Sequence, residues 1–211
     1  MRGRFISVEG LDGTGKTTVC AALAARLRDA GLQVVSLREP GGTAAGEQIR
    51  SLLADPETVL SPRAELLLFS AARAQLVDTV LEPALASGSW AVLDRFTDST
   101  LAYQGAGRQL GDAVTAGLSE LTTGGLHPDR TLLLQAPAAT RRERLLGRGD
   151  APDRWELADP AVVGRVEARY DALLAEQPGR VRAVDASGTP DEVADLVWEE
   201  TQDLVRAAVA G

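Results

Sequence analysis

The chain has 211 residues, a net charge of −8 and a single cysteine. That length carries one α/β domain with a substantial core. The acidic balance disfavours nonspecific attachment to nucleic acid or to an anionic membrane, and a lone thiol excludes an intramolecular disulfide. No apolar run approaches the length of a membrane span, and Met1 stands only a few residues before the first strand-like run. The expectation is a cytoplasmic, soluble domain without a leader.

Taken in chain order, residues 4–9 read as a short buried strand and 16–30 as a helix. A second strand follows over 33–39, then helical patterns over 43–54 and 62–87. A third strand over 89–95 leads into helices at 98–105 and 111–123, a fourth strand at 130–136 and a helix at 138–148. The chain ends with a helix at 160–176, a fifth strand at 181–186 and a helix at 190–209. Alternating helices and continuously apolar strands predict a parallel sheet covered on both faces, one domain over 1–211. Ligands of such sheets lie at the carboxyl ends of the strands. The residues closing the strands, Glu9-Gly10, Arg38-Glu39, Asp94-Arg95, Gln135 and Asp185, are therefore the ones to watch. Residues 147–158 hold glycines, a proline and clustered charges between helices and read as a mobile lid. Cys20, inside the first helix, reads as a small buried hydrophobe, and His127 as structural.

Between the first strand and helix lies Gly10-Leu11-Asp12-Gly13-Thr14-Gly15-Lys16-Thr17, spaced G-x-x-x-x-G-K-T. This is the P-loop, in which backbone N–H groups and a helix N-terminus cradle phosphates. Lys16 is the only lysine in the chain, against 21 arginines. A compact ammonium on a flexible stem fits inside such a loop where a planar guanidinium does not. Thr17 supplies a hydroxyl for a phosphate-bound Mg²⁺, and residues 10–18 as a whole are the expected ATP contacts. Asp94, at the end of the third strand, is placed to hold Mg²⁺ or its water shell opposite Thr17, and Arg95 to grip an acceptor phosphate. P-loops serve GTPases, motors and small-molecule kinases alike. The guanine-reading N-K-x-D motif needs a second lysine, which this chain lacks.

Further segments narrow the choice: Arg38-Glu39-Pro40-Gly41-Gly42-Thr43, Phe69-Ser70-Ala71-Ala72-Arg73, the run from Asp94-Arg95 through Ala102-Tyr103-Gln104-Gly105 to Arg108, Pro128-Asp129, Asp153-Arg154-x-Glu156, and Asp185-Ala186-Ser187. Together with the P-loop these make the chain resemble bacterial thymidylate kinases nearly end to end. The resemblance implies a P-loop NTP hydrolase fold with a five-stranded parallel sheet, and a homodimer through helices such as that of residues 65–85. It implies transfer of the γ-phosphoryl of ATP to dTMP, giving dTDP and ADP, with Mg²⁺.

Residue by residue, the resemblance places Asp12 at the acceptor's 3′-hydroxyl, Phe69 stacked on thymine and Arg73 at the base's O4. It puts Thr100 and Gln104 at the base edge and Tyr103 against the sugar's 2′ position. Arg95, with Arg38 or Arg50, would neutralise the monophosphate. Some family members carry a catalytic arginine at the position of Gly13, whereas others carry basic residues in the lid. Gly13 has no side chain, so Arg148 and Arg154 are the expected lid arginines. Departures from the family pattern are Phe96, Gln135, the Val162-Val163 pair and Glu167. They lie away from the phosphoryl-transfer core and leave dUMP or a 5-modified pyrimidine monophosphate as alternative acceptors.

Overall fold

The computed structural model describes residues 2–147 and 159–209. Five strands, β1 (Phe5–Gly10), β2 (Val34–Arg38), β3 (Trp90–Asp94), β4 (Arg130–Gln135) and β5 (Val181–Asp185), form one sheet in the order β2-β3-β1-β4-β5. Every neighbouring pair is parallel, with Val8 opposite Asp94 and Leu132 in the central registers. β1 is thus flanked on both sides, and the chain leaves it at the carboxyl edge of the sheet, where parallel folds place their ligands.

The helices are α1 (Lys16–Asp29), α2 (Ala44–Ala54), α3 (Pro62–Leu76), α4 (Glu82–Ala86), α5 (Thr97–Thr100), α6 (Asp112–Thr123), α7 (Ala138–Gly147), α8 (Pro160–Glu176), α9 (Pro190–Glu199) and α10 (Gln202–Val209). Strand alternation divides the core in two. Ile6, Val8, Val92, Leu132 and Leu134 face α1, α9 and α10, where they pack on Val19, Leu23, Leu27, Val193, Val197 and Val205. The opposite faces of β1 and β3 carry Phe5, Ala91 and Leu93 onto Leu76, Val77, Leu81 and Leu85. Farther along that side, Leu133 and Val181 meet Val166, Tyr170 and Leu173 of α8.

Three helices differ from the periodicity reading. The stretch read as one helix over 62–87 is α3, a π-helical turn at Val77–Leu81, and α4. The helix expected at 98–105 begins as α5 and widens into a π-helix over Leu101–Gly107. There the Gly107 carbonyl accepts from the Arg165 guanidinium at 2.9 Å, and Gly107 packs closely on Val166. The last helix is broken in two. Thr201 is fully buried and its hydroxyl donates to Trp198 O at 2.9 Å, so it takes up a carbonyl at the end of α9 and turns the chain into α10.

Candidate functional site

The P-loop leaves β1 with three glycines at positive φ, Gly10 (137°), Gly13 (83°) and Gly15 (91°). Such angles wrap the chain around an anion without Cβ strain. No described side chain caps α1 at Gly15, so its first amides remain available to a phosphate. The loop is braced from within: Thr14 Oγ1 and Lys16 Nζ both donate to Leu11 O, at 2.9 Å each. Burial, and next the Arg95 charge, lower the Lys16 ammonium from 10.5 to about 8. The lysine is held desolvated, and an anion bound in the loop would favour its charged form.

A cavity of about 490 Å³ opens at this carboxyl edge. Residues Asp12 to Val19 line one side of it. Of the remaining residues singled out in the sequence, Arg38, Arg50, Phe69, Arg73, Asp94, Arg95, Thr100, Tyr103 and Gln104 all line the same cavity. Gly10 and Leu11 do not. They lie beneath the loop, on a smaller cavity against β4 and α8, and their carbonyls serve as internal acceptors for Arg95 and Lys16. Arg148 and Arg154, with all of the lid beyond Gly147, lie outside the described residues.

Asp94 accepts from the Thr17 hydroxyl at 2.7 Å. A carboxylate and a hydroxyl beside a phosphate cradle are hard oxygen donors. They fit Mg²⁺, which takes one or two protein ligands and fills its remaining positions with phosphate oxygens and water.

Arg95 sits in left-handed backbone at φ 72°, which turns its side chain back over the P-loop. Its guanidinium is bonded to Asp12, to Gly10 O at 3.2 Å and to Ser99 Oγ at 3.2 Å, and lies over the Tyr103 ring at 5.0 Å. Tyr103 OH donates to Asp12 Oδ2 at 3.3 Å. The Asp12 carboxyl titrates below its ordinary value. Burial raises it, but Arg95 and Lys16 together outweigh that effect.

At the far end, α3 presents Glu65, Phe69 and Arg73 one turn apart on one face. Arg73 is 1 % exposed. Its Nε donates to Glu39 Oε2 at 2.8 Å, NH1 to Thr100 Oγ1 at 2.8 Å and NH2 to Phe96 O at 3.1 Å. Burial raises the Glu39 carboxyl above the ordinary glutamate range in spite of the adjoining Arg73. Arg38 pairs with Glu47 at 2.9 Å, and Arg50 donates to Pro40 O at 3.1 Å.

Several cavity residues were not singled out from the sequence. Arg144 of α7 bonds Ala186 O at 2.7 Å and Gly188 O at 2.8 Å, and with Gly188, Pro190 and Val193 it forms the cavity wall beyond the P-loop. For Gly188 the signal was the loop after the fifth strand, a strand end like the others; Arg144, on α7, gave none. Glu39 was visible as a strand end, but its partnership with Arg73 was not. Glu9, within the P-loop segment, is wholly buried beneath Arg95 on Ser99, Tyr170 and the Phe96 amide.

The departures from the family pattern are all accommodated. Phe96 packs edge-on to Phe5 at 4.9 Å, under the Arg73 guanidinium. Gln135 bonds Asp171 at 3.0 Å, Glu167 pairs with Arg141 at 3.0 Å, and Val162 and Val163 pack around Leu11 and Ala102. His127 is exposed and reaches Glu120 at 3.0 Å.

A phosphate cradle on a β2-β3-β1-β4-β5 sheet, facing a second pocket lined by an aromatic ring and an arginine, defines a P-loop phosphotransferase of the nucleoside monophosphate kinase class. Residues 8–197 match the thymidylate kinase family model. The chain is 46% identical over 200 residues to the thymidylate kinase of Alkalilimnicola ehrlichii, covering 94% of this chain and 92% of that one. It is 47% identical over 205 residues to that of Bordetella petrii, covering 96% and 97% of the two chains. The crystal structure of thymidylate kinase from Ehrlichia chaffeensis superposes with a TM-score of 0.77 at 26% identity, covering 95% of this chain and 99% of that one. The chain belongs to the thymidylate kinase family.

Proposed function

We propose that the chain transfers the γ-phosphoryl of ATP to dTMP, giving dTDP and ADP. The observation that carries this reading is that one cavity holds both sets of residues: Lys16 and the start of α1 lie at one end, and Phe69, Arg73, Thr100 and Gln104 at the other. The P-loop amides and Lys16 bind the donor phosphates, and Arg144 with the Gly188–Val193 wall borders the space for the donor base. Arg95, already desolvated and aimed over the loop, meets the acceptor phosphate together with Arg38 or Arg50. Phe69 stacks on the base, and Asp12 and Tyr103 bound the sugar. Thr17 and Asp94 would hold Mg²⁺, which when bound neutralises charge on the phosphate oxygens. Phosphoryl transfer then needs positioning and electrostatic stabilisation, and no covalent intermediate.

Arg148 and Arg154 supply the charge that Gly13 does not. A Cβ on Gly13 would lie 2.5 Å from Arg141 O, so α7 leaves no room for a P-loop arginine there. Homodimeric assembly and cytoplasmic residence belong to the same proposal. For the dimer, Leu67 of α3 and Leu121 of α6 are 59% and 78% exposed on two helices that pack together.

The test is ADP release from Mg-ATP with no acceptor, then with dTMP, dUMP, dCMP, ribosylthymine monophosphate and AMP. Turnover that requires an acceptor and is fastest with dTMP is the expected result. Acceptor-independent hydrolysis, or none, overturns the proposal. A peak on another pyrimidine keeps the chemistry and moves the specificity.

A further inference from the structure

Gln104 is 2 % exposed yet lines the cavity beside Phe69, Arg73 and Thr100. Its amide has one donor end and one acceptor end, and which end faces a ligand decides what the ligand must offer. The Nε2 end is already committed: it donates to Glu65 Oε1 at 2.8 Å. Glu65 is 1 % exposed on the first turn of α3, and it is salt-bridged to Arg108 NH2 at 3.0 Å, with Arg108 Nε a further 3.3 Å donor. A carboxylate paired with a guanidinium only accepts. The reversed amide would press a carbonyl oxygen against a carboxylate oxygen in a buried site, so charge dictates the orientation.

With one Nε2 hydrogen given to Glu65 and the amide so oriented, the acceptor that Gln104 can offer a ligand's N–H is its carbonyl Oε1. Arg73, bonded to Thr100 through one NH1 hydrogen, keeps its second NH1 hydrogen as a donor and has no acceptor to offer. The end of the cavity thus presents a donor next to an acceptor. A 2,4-dioxopyrimidine matches this with a carbonyl at C4 and an N–H at position 3. A 4-aminopyrimidine carries an amine and a bare ring nitrogen there and is mismatched at both.

We infer that Glu65, clamped by Arg108, is a positioning residue that fixes the Gln104 amide with its carbonyl toward the base and so sets the discrimination against 4-aminopyrimidine monophosphates. Neither residue touches the substrate; both act through Gln104. The periodicity supports the device, because Glu65, Phe69 and Arg73 share one face of α3 while Gln104 lies on the facing π-helical segment and Arg108 caps its C-terminus. The inference rests on the proposed base pocket.

The experiment compares kcat/KM for dTMP and dCMP in the wild type, Glu65→Gln, Gln104→Leu and the double variant, with thermal melts confirming folding. A glutamine at 65 can donate as well as accept, which frees the Gln104 amide to turn over. The dCMP to dTMP ratio of kcat/KM should rise about tenfold or more in Glu65→Gln, chiefly through a higher KM for dTMP. In the Gln104→Leu background the same change should leave the ratio alone. If Glu65→Gln does not fold, Arg108→Gln, at a half-buried position, removes the guanidinium that clamps the Glu65 carboxylate, and should move the ratio the same way. A raised KM for dTMP in Gln104→Leu, with an unchanged ratio in Glu65→Gln, overturns the positioning role and spares the base pocket. An unchanged KM in Gln104→Leu overturns the pocket reading itself. A ratio shift of equal size in both backgrounds makes Glu65 a general structural residue and also overturns the inference.

Discussion

Glu9 closes β1 with its carboxyl group inside the protein. The Phe96 amide donates to Oε1 at 2.7 Å, and the Ser99 and Tyr170 hydroxyls reach Oε2 at 2.5 and 3.0 Å. Burial, and next the Asp98 charge, raise its pKa from 4.5 to about 7, against the opposing pull of Ser99, Arg95 and the Phe96 amide. Between those two values the folded chain keeps a proton that the unfolded chain has released. The contribution to stability is therefore complete below pH 4.5 and is lost as the pH rises through 7. The rise from 4.5 to about 7 corresponds to about 3 kcal/mol in all, most of which falls between pH 5 and pH 8. Glu9→Gln is isosteric and cannot ionise. Its carbonyl still accepts from the Phe96 amide, and its NH₂ faces two hydroxyl oxygens that can accept. Urea denaturation of both proteins at pH 5 and pH 8 cancels, in the difference, the titrating groups that do not interact with Glu9. The variant should gain about 2–3 kcal/mol on the wild type over that interval. A gap between the two proteins that stays constant to within about 0.5 kcal/mol would falsify the buried, proton-holding assignment of Glu9.

Lys16→Ala should abolish dTMP-dependent ADP release, and Lys16→Arg should lose about 10²-fold or more in kcat because the planar group does not fit beneath the loop; near-normal turnover of the arginine variant would contradict that steric account. With its ammonium lowered to about 8, Lys16 should also be acylated at a rate that levels off above about pH 8 instead of climbing toward pH 10, with ATP protecting it, as read by peptide mass. Gly13→Ala combines a φ of 83° with a Cβ 2.5 Å from Arg141 O. It should cost at least about 1–2 kcal/mol of stability and raise KM for ATP, and an unchanged melt and KM would show that α7 yields freely. Arg148→Ala should lower kcat by about 10²-fold or more with little change in KM for dTMP, measured by the same coupled assay; a near-normal kcat removes Arg148 from the transition state.

The sheet was legible in the sequence because its evidence is local. Each of the five strands is a short apolar run closed by a polar residue, and each lies within a residue or two of where the pattern put it. The phosphate cradle was legible for the same reason: three glycines, a lysine and a threonine at fixed spacing define their own backbone path. Helix continuity was less legible. The break at Thr201 depends on a hydroxyl competing for carbonyls only because that side chain is buried, and burial is a property of the packed chain. The widened turn ending at Gly107 likewise depends on Arg165, 58 residues away.

What the sequence by itself determined is the set of groups that close the strands, since backbone geometry sends every one of them to the same edge of a parallel sheet. What only the tertiary structure decided is how those groups are paired. Arg73 is held by Glu39, 34 residues away, Gln104 by Glu65 at 39 and Glu9 by Tyr170 at 161. Side chains so far apart in sequence carry no periodicity linking them. Their partnerships and the upward shift of the Glu9 carboxyl follow from desolvation and charge, which exist only once the chain has closed around them.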